Sequence, residues 1–178
     1  MELKTKRLRL RPFCAADADA LHRVLGDPAT MSFYPEPYSL EKVRFLIEKH
    51  GRLFAEQGIG WFAMLHQDGG HLIGDCGITI QNIDGVEEYE IGYHTAKAHW
   101  GNGYATEAAR AIRDYGFEKL NLKKLCSYMA ADHLASRRVA EKNGMALEKI
   151  YNNPRNRNFP TTVYSITRER WLRMNGGA

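Results

Sequence analysis

The chain has little of what would place it outside the cell or in a membrane. Its 178 residues hold three cysteines, Cys14, Cys76 and Cys126, far apart and without a Cys-x-x-Cys spacing. An odd, scattered set argues against a disulfide framework or a thiolate zinc site and suits a reducing compartment, the cytoplasm. No run approaches the roughly 20 apolar residues that span a bilayer. The first residues, Met-Glu-Leu-Lys-Thr-Lys-Arg, carry charge where a signal peptide needs an apolar stretch. Internal repeats, low-complexity tracts and linkers are also lacking. One domain over residues 1–178 is expected, its core spanning about 7–170, with no metal and no membrane partner.

Strong charge of either sign is missing as well. A formal charge of +4 and a pI near 9.0 suit any polyanionic partner, a nucleic acid or a phosphorylated cofactor. No nucleic-acid-binding motif is recognisable, so that partner is not expected. A hydrophobic share of 44% with 26% charged residues places the chain among ordinary globular proteins.

What is present is a regular alternation of periods. Leu8 and Leu10 between arginines read as a half-buried strand. Ala18, Leu21, Val24 and Leu25 form a helical stripe stopped by Gly26-Asp27-Pro28. A second helix starts at the N-cap Ser39 and ends by Gly58. Trp61–Leu65, Leu72–Ile80 and Glu87–His94 follow as strands, separated by turn signals at Asp68-Gly69-Gly70 and Asp84-Gly85. In the third of these, Tyr89, Ile91 and Tyr93 face one way, and Glu88, Glu90, Gly92 and His94 the other. A helix from Ala105, a strand over Lys124–Ala130 and a helix over His133–Asn143, closed by Gly144, come next. Strands Ala146–Ile150 and Thr161–Thr167 complete the order β-α-α-β-β-β-α-β-α-β-β, an α/β mixed sheet with helices on its faces.

The segment His99-Trp100-Gly101-Asn102-Gly103-Tyr104-Ala105-Thr106-Glu107-Ala108 joins a strand to a helix through two glycines. Unpaired N–H groups at a helix N-terminus bind phosphates, and glycine lets the backbone come close. From spacing alone, a tight turn without ligand is equally open. No Gly-Lys-Ser/Thr follows, so this is not a Walker loop.

That segment, with Glu90-Ile91-Gly92-Tyr93 before it and Ala135-Ser136-Arg137-Arg138-Val139-Ala140-Glu141-Lys142-Asn143-Gly144-Met145 after it, resembles the GNAT superfamily of N-acetyltransferases. The similarity covers nearly the whole chain and is greatest to the branch of ribosomal-protein N-terminal acetyltransferases. It implies a GNAT-type fold that binds acetyl-CoA in a cleft between the strands Glu87–Thr95 and Lys124–Ala130. It further implies that Gly101, Asn102, Gly103, Tyr104, Ala105 and Thr106 donate backbone hydrogen bonds to the cofactor pyrophosphate. Tyr93, His94 and Thr95 would pair through their backbones with the pantetheine arm, and an N–H of their strand would hold the thioester carbonyl. His133 stands where many members have a cofactor-contacting Asn. Ala140 and Tyr128 stand where several have a tyrosine acid and a glutamate, so those roles do not transfer. The acceptor would be an amine, and the protein a monomer or homodimer.

Single residues carry two readings each. Glu90 is a general base acting through water, a solvated strand carboxylate, or a carboxylate that simply attracts a cationic substrate. Ser136 resembles a serine that protonates the leaving thiolate, or is simply a small helix residue. Phe33, Tyr34 and Tyr38, with Pro35 and Pro37, wall a substrate pocket or plug the sheet. His94 and His99 titrate in the useful range but also suit surface or packing roles. Cys126 is an acyl acceptor or a small core residue. Arg155 and Arg157 belong to a lid or a solvated loop, and Arg168–Arg173 to an exposed helical face. The expected activity is acetyl transfer from acetyl-CoA to a primary amine, by direct attack in a ternary complex. A peptide or protein α-amine is the first acceptor class, and small-molecule amines the second. A non-catalytic acyl-CoA-binding module is the rival from another class.

Overall fold

The computed structural model describes residues 1–176. Its strands are β1 (Leu3–Lys4), β2 (Leu8–Pro12), β3 (Gly60–His66), β4 (Leu72–Ile83), β5 (Val86–Thr95), β6 (Lys124–Ala130), β7 (Ala146–Asn153) and β8 (Phe159–Thr167). Its helices are α1 (Ala18–Leu25), α2 (Leu40–Gln57), α3 (Tyr104–Glu118), α4 (Leu134–Lys142) and α5 (Arg168–Met174). The expected mixed α/β order is present, with β1 and α5 added at the two ends. All eight strands form one sheet in the order β1-β2-β3-β4-β5-β6-β8-β7.

Local chemistry accounts for the element ends. Ser39 Oγ accepts the Lys42 N–H at 3.2 Å, which caps α2, and Gly58 closes it in the left-handed region at φ +70°. The β4–β5 hairpin turns on Asp84 and Gly85, both at positive φ, which is the two-residue turn that matches strand twist. The hairpin runs longer than the expected Leu72–Ile80, pairing through Ile83 and Val86.

Alternation divides the sheet into two faces. One carries Leu8, Leu10, Phe62, Met64, Ile78, Ile91 and Leu125 into a cluster with Ala108, Ile112, Phe117 and Trp171 of the helices. Within Arg168–Arg173 the charged Glu169, Arg170 and Arg173 form an exposed helical face, as expected, while Trp171 docks the other side of α5 on the core. The second cluster joins Leu21, Leu25, Val43 and Ile47 of α1 and α2 with Met31 between them. On β4 and β5, Asp75, Thr79, Glu90 and His94 point away from Ile78 and Ile91.

The sheet is antiparallel except where β5 meets β6. Those strands run parallel and pair at Glu90 and Cys126, reinforced by the Ser127 hydroxyl donating to the Ile91 carbonyl at 2.7 Å. Beyond this point their C-terminal ends pair with other strands only.

Candidate active site

The divergence of β5 and β6 opens a cleft of about 1310 Å³. It is lined by Gly92–Thr95 of β5, Ser127–Ala130 of β6, the loop before α3, the first turns of α4 and the α1–α2 connection. The two strand ends expected to flank the cleft therefore do so.

One end of the cleft presents uncapped backbone N–H groups. Gly101 and Gly103 sit at φ +75° and +78°, and a Cβ on Gly101 would meet open space. Gly103 is the N-cap of α3 and supplies no side-chain hydrogen bond to the first helical N–H groups. Those donors face the positive end of the helix dipole without a side-chain cap. Glu107, which would repel an anion there, is tied down by Thr5 Oγ1 at 2.6 Å, the Arg7 N–H at 2.8 Å and Arg7 Nε at 2.7 Å. The Trp100 indole donates to the Thr95 carbonyl at 2.6 Å and anchors the loop to β5. The Asn102 side chain folds back onto the His99 and Trp100 carbonyls, and His66 holds Tyr104 Oη at 3.0 Å. Ala105 and Thr106 line the same wall, as do Arg138 and Lys142 of α4. These two cations belong to the last of the quoted motifs, yet their spacing gives no reason to single them out.

Along β5 the cleft becomes buried and polar. Glu90 is 8% exposed, its Oε2 3.3 Å from the Thr79 hydroxyl. Burial pushes its carboxyl up to about 7, against weaker opposing effects of Thr79 and His94. Glu90 is thus not a solvated strand carboxylate: it lines a buried part of the cleft together with Trp61, Tyr128 and the α1–α2 connection. Gly92 leaves room for the Trp61 indole, which a Cβ would meet at 2.7 Å.

Two residues further along β5, the His94 side chain takes a part that its spacing does not reveal. Its Nδ1 lies 2.8 Å from Asp75 Oδ1 and its Nε2 2.7 Å from Tyr34 Oη. Its backbone N–H also donates to Asp75, at 3.1 Å. Asp75 is 1% exposed, so ring and carboxylate satisfy each other inside the protein. The alternation of β5 against β4 is readable in the sequence, but the pairing register that sets Asp75 opposite His94 is not.

Across the cleft, Tyr93 Oη donates to the Ser136 carbonyl and lies 3.0 Å from Ser136 Oγ. Burial raises the Tyr93 hydroxyl well above its ordinary range, so it stays protonated. The family resemblance implies only a backbone role for this residue. His133 caps α4 and stacks on Phe33 with ring centroids 3.9 Å apart. The Phe33 carbonyl accepts from Asn156 at 2.8 Å. Phe33 thus ties the α1–α2 connection to α4 and to the β7–β8 loop, while Tyr34 and Tyr38 line the interior. Arg155 lines the cleft too, whereas the Arg157 guanidinium lies over the Phe159 ring at 4.5 Å.

The thiols stand outside this chemistry. Cys76 and Cys126 are fully buried, and burial raises both well above the usual thiol range. Neither lines the cleft, and Cys14 is exposed elsewhere. Among the described residues no group of His, Cys, Asp and Glu could hold a metal ion, and no helix is long and apolar enough to cross a membrane.

A thioester donor with a pyrophosphate and a pantetheine arm fits this geometry. Gly101 and Gly103 give the close approach, α3 gives uncapped N–H donors, and Thr95 Oγ1 is buried in the cleft without a hydrogen-bond partner. Comparison with known proteins agrees. Residues 7–146 match the family model described as acetyltransferase (GNAT) domain. YkkB of Bacillus subtilis, an uncharacterized protein, is 37% identical over 164 residues, covering 92% of this chain and 94% of its own. YnaD of the same organism, an uncharacterized N-acetyltransferase, is 31% identical over 175 residues, covering 96% and 99%. A solved GNAT-family acetyltransferase from Bacillus anthracis superposes with a TM-score of 0.81 at 27% identity, over 95% of this chain and 99% of that one. The cleft, the two-glycine loop and these similarities together place the chain in the GNAT family, as an acetyl-CoA-dependent N-acetyltransferase that acts on an amine acceptor.

Proposed function

We propose that the protein acetylates an α-amine of a peptide or protein N-terminus, by direct attack within a ternary complex. The observation that carries this reading is the buried Glu90 carboxyl held near 7. An α-amine titrates at about 7.7–8.0 and a lysine at about 10.4, so a base near 7 deprotonates the first with far less uphill work. The similarity of the three quoted motifs to the ribosomal-protein branch supports the same acceptor class.

Acetyl-CoA, when bound, supplies an acetyl group activated as a thioester. The backbone of Gly101–Thr106, with Arg138 and Lys142, holds the phosphates, and the backbone of Tyr93–Thr95 and the Thr95 hydroxyl align the arm. Two groups there are already engaged, the His94 N–H by Asp75 and the Thr95 carbonyl by Trp100, which narrows the pairing to the remaining ones. Glu90, through water, takes the first proton from the incoming ammonium. Ser136, backed by the Tyr93 hydroxyl, donates a proton to the departing sulfur. His133 braces Phe33 at the mouth, and the three cysteines take no part. Positioning contributes up to about 7–11 kcal/mol in favourable cases. We place the protein in the cytoplasm as a single-domain monomer or homodimer, in keeping with its free thiols.

A compact small-molecule amine is the second reading. It is favoured by the Phe33 contacts to His133 and Asn156, which tie the α1–α2 connection to two other walls of the cleft. A panel of amines with acetyl-CoA, read by free thiol release, tests both. Peptides with a free N-terminus should turn over, and the same peptides blocked at the α-amine but carrying lysine should not. Turnover confined to small amines would replace the first reading by the second. Binding of acetyl-CoA with no turnover on any amine would leave a binding module.

A further inference from the structure

Acetyl transfer to an ammonium removes two protons from nitrogen, one before attack and one after the N–C bond forms, and Glu90 accounts for the first. We propose that Tyr34, His94 and Asp75 form a proton relay that accepts the second, with Tyr34 Oη as the group that touches the reacting nitrogen. This rests on the proposed amine acetylation.

The relay is continuous. Asp75 Oδ1 accepts from His94 Nδ1–H at 2.8 Å, so in the neutral imidazole Nε2 is the acceptor, and Tyr34 Oη–H donates to it at 2.7 Å. Tyr34 Oη makes no other hydrogen bond among the described residues, which leaves it free to accept one more, and Tyr34 lines the cleft together with Glu90. The Trp61 indole stacks on the His94 ring, centroids 4.9 Å apart and planes 27° apart. That contact fixes the ring plane.

After attack, the N–H bond breaks with its electron pair left on nitrogen, and the proton goes to Tyr34 Oη. The proton already on Tyr34 passes to His94 Nε2, and the imidazolium rests against the Asp75 carboxylate. The C–S bond then breaks with its electrons on sulfur, which Ser136 protonates before recovering a proton from water. The relay resets by returning its proton through Tyr34 to water when product leaves. Asp75 is a positioning residue, because it acts by holding the ring tautomer. The groups that face His94 are Asp75 on β4, Tyr34 from the α1–α2 connection, Trp61 on β3 with His50 of α2 behind it, Glu90 on β5 and His133 at the start of α4.

The test uses the full chain with its best amine. Tyr34→Phe deletes one oxygen and should lower kcat by about 10²-fold or more, with KM changed less than about threefold and the acetyl-CoA thermal shift kept. Asp75→Asn should act the same way, and the double variant should be no worse than the poorer single one, since both break one chain. His94→Gln serves in place of Asp75→Asn if the latter fails to fold. A proton inventory of kcat, bowed in the wild type, should become linear in Tyr34→Phe. A Tyr34→Phe enzyme with kcat within about twofold of wild type, a loss confined to KM, or losses that multiply in the double variant would each overturn the relay. A wild type inert toward every amine would remove the proposed function instead, and the relay with it.

Discussion

At the scale of single residues, Glu90 carries a consequence for stability as well as for rate. Its folded pKa is raised from 4.5 to about 7 by burial, so folding favours the protonated form. The stability this lends is complete below about pH 4.5 and is lost as pH rises through about 7. Glu90→Gln, which stays neutral, should therefore be more stable than wild type at about pH 8.5, by about 2–4 kcal/mol, and closer to it at about pH 4.5. Urea unfolding at the two pH values measures the difference. The same variant should lose about 10²–10⁴-fold in kcat/KM above about pH 7, where Glu90 is ionised and can act as a base, and less at acidic pH, where the wild-type carboxyl is already protonated. For the sulfur end, Ser136→Ala should lower kcat, and a donor thioester with a more acidic thiol should recover much of the loss. Equal losses with both donors would remove Ser136 from proton donation. Period-2 alternation puts Glu90 on the correct face, but its burial comes from segments far away in the chain. For the same reason the sequence shows Tyr34 and His94 separately but not their contact, which spans 60 positions.

Among the elements, the loop into α3 makes the sharpest demand on residue type. Gly103 holds φ +78° at the N-cap of α3, a conformation that β-branched residues strongly resist. Gly103→Val should keep the fold yet lose the acetyl-CoA thermal shift, which scanning calorimetry with and without ligand would show. An undiminished shift would move the phosphate site elsewhere. Ser39→Ala removes the α2 cap and should cost about 0.5–2 kcal/mol without altering turnover. These features are readable because caps and turn glycines are local signals: Ser39, Gly58, Asp84-Gly85 and Gly144 all stand where the sequence places them. Strand β1 is not readable, since two residues hold no period and Leu3–Lys4 is a strand only because β2 lies beside it. Helix α5 reads as a charged face because its arginines outnumber the one ring that docks it.

For the whole molecule, acetyl-CoA should stabilise the fold by mass action, by about 2.7 kcal/mol at roughly a hundredfold excess over Kd, and so raise the thermal midpoint. The single pairing between β5 and β6 adds a further consequence. Strands β1–β5 lie to one side of it and β6–β8 to the other, so the backbone ladder that joins the two parts is one rung long. Their remaining connections are helix packing and a few side-chain bonds, among them Ser127 to the Ile91 carbonyl and the ion pairs Lys124–Glu88 and Lys149–Asp84. Free protein is then expected to open by sub-global fluctuation along this seam before it unfolds, with amide hydrogens of β5 and β6 that face the seam exchanging sooner than those of the β3–β4 ladder. A donor arm lying along β5 would occupy the seam as a ninth strand of foreign chemistry. It would slow exchange there and make the two parts open together, so the donor substrate would also complete the sheet.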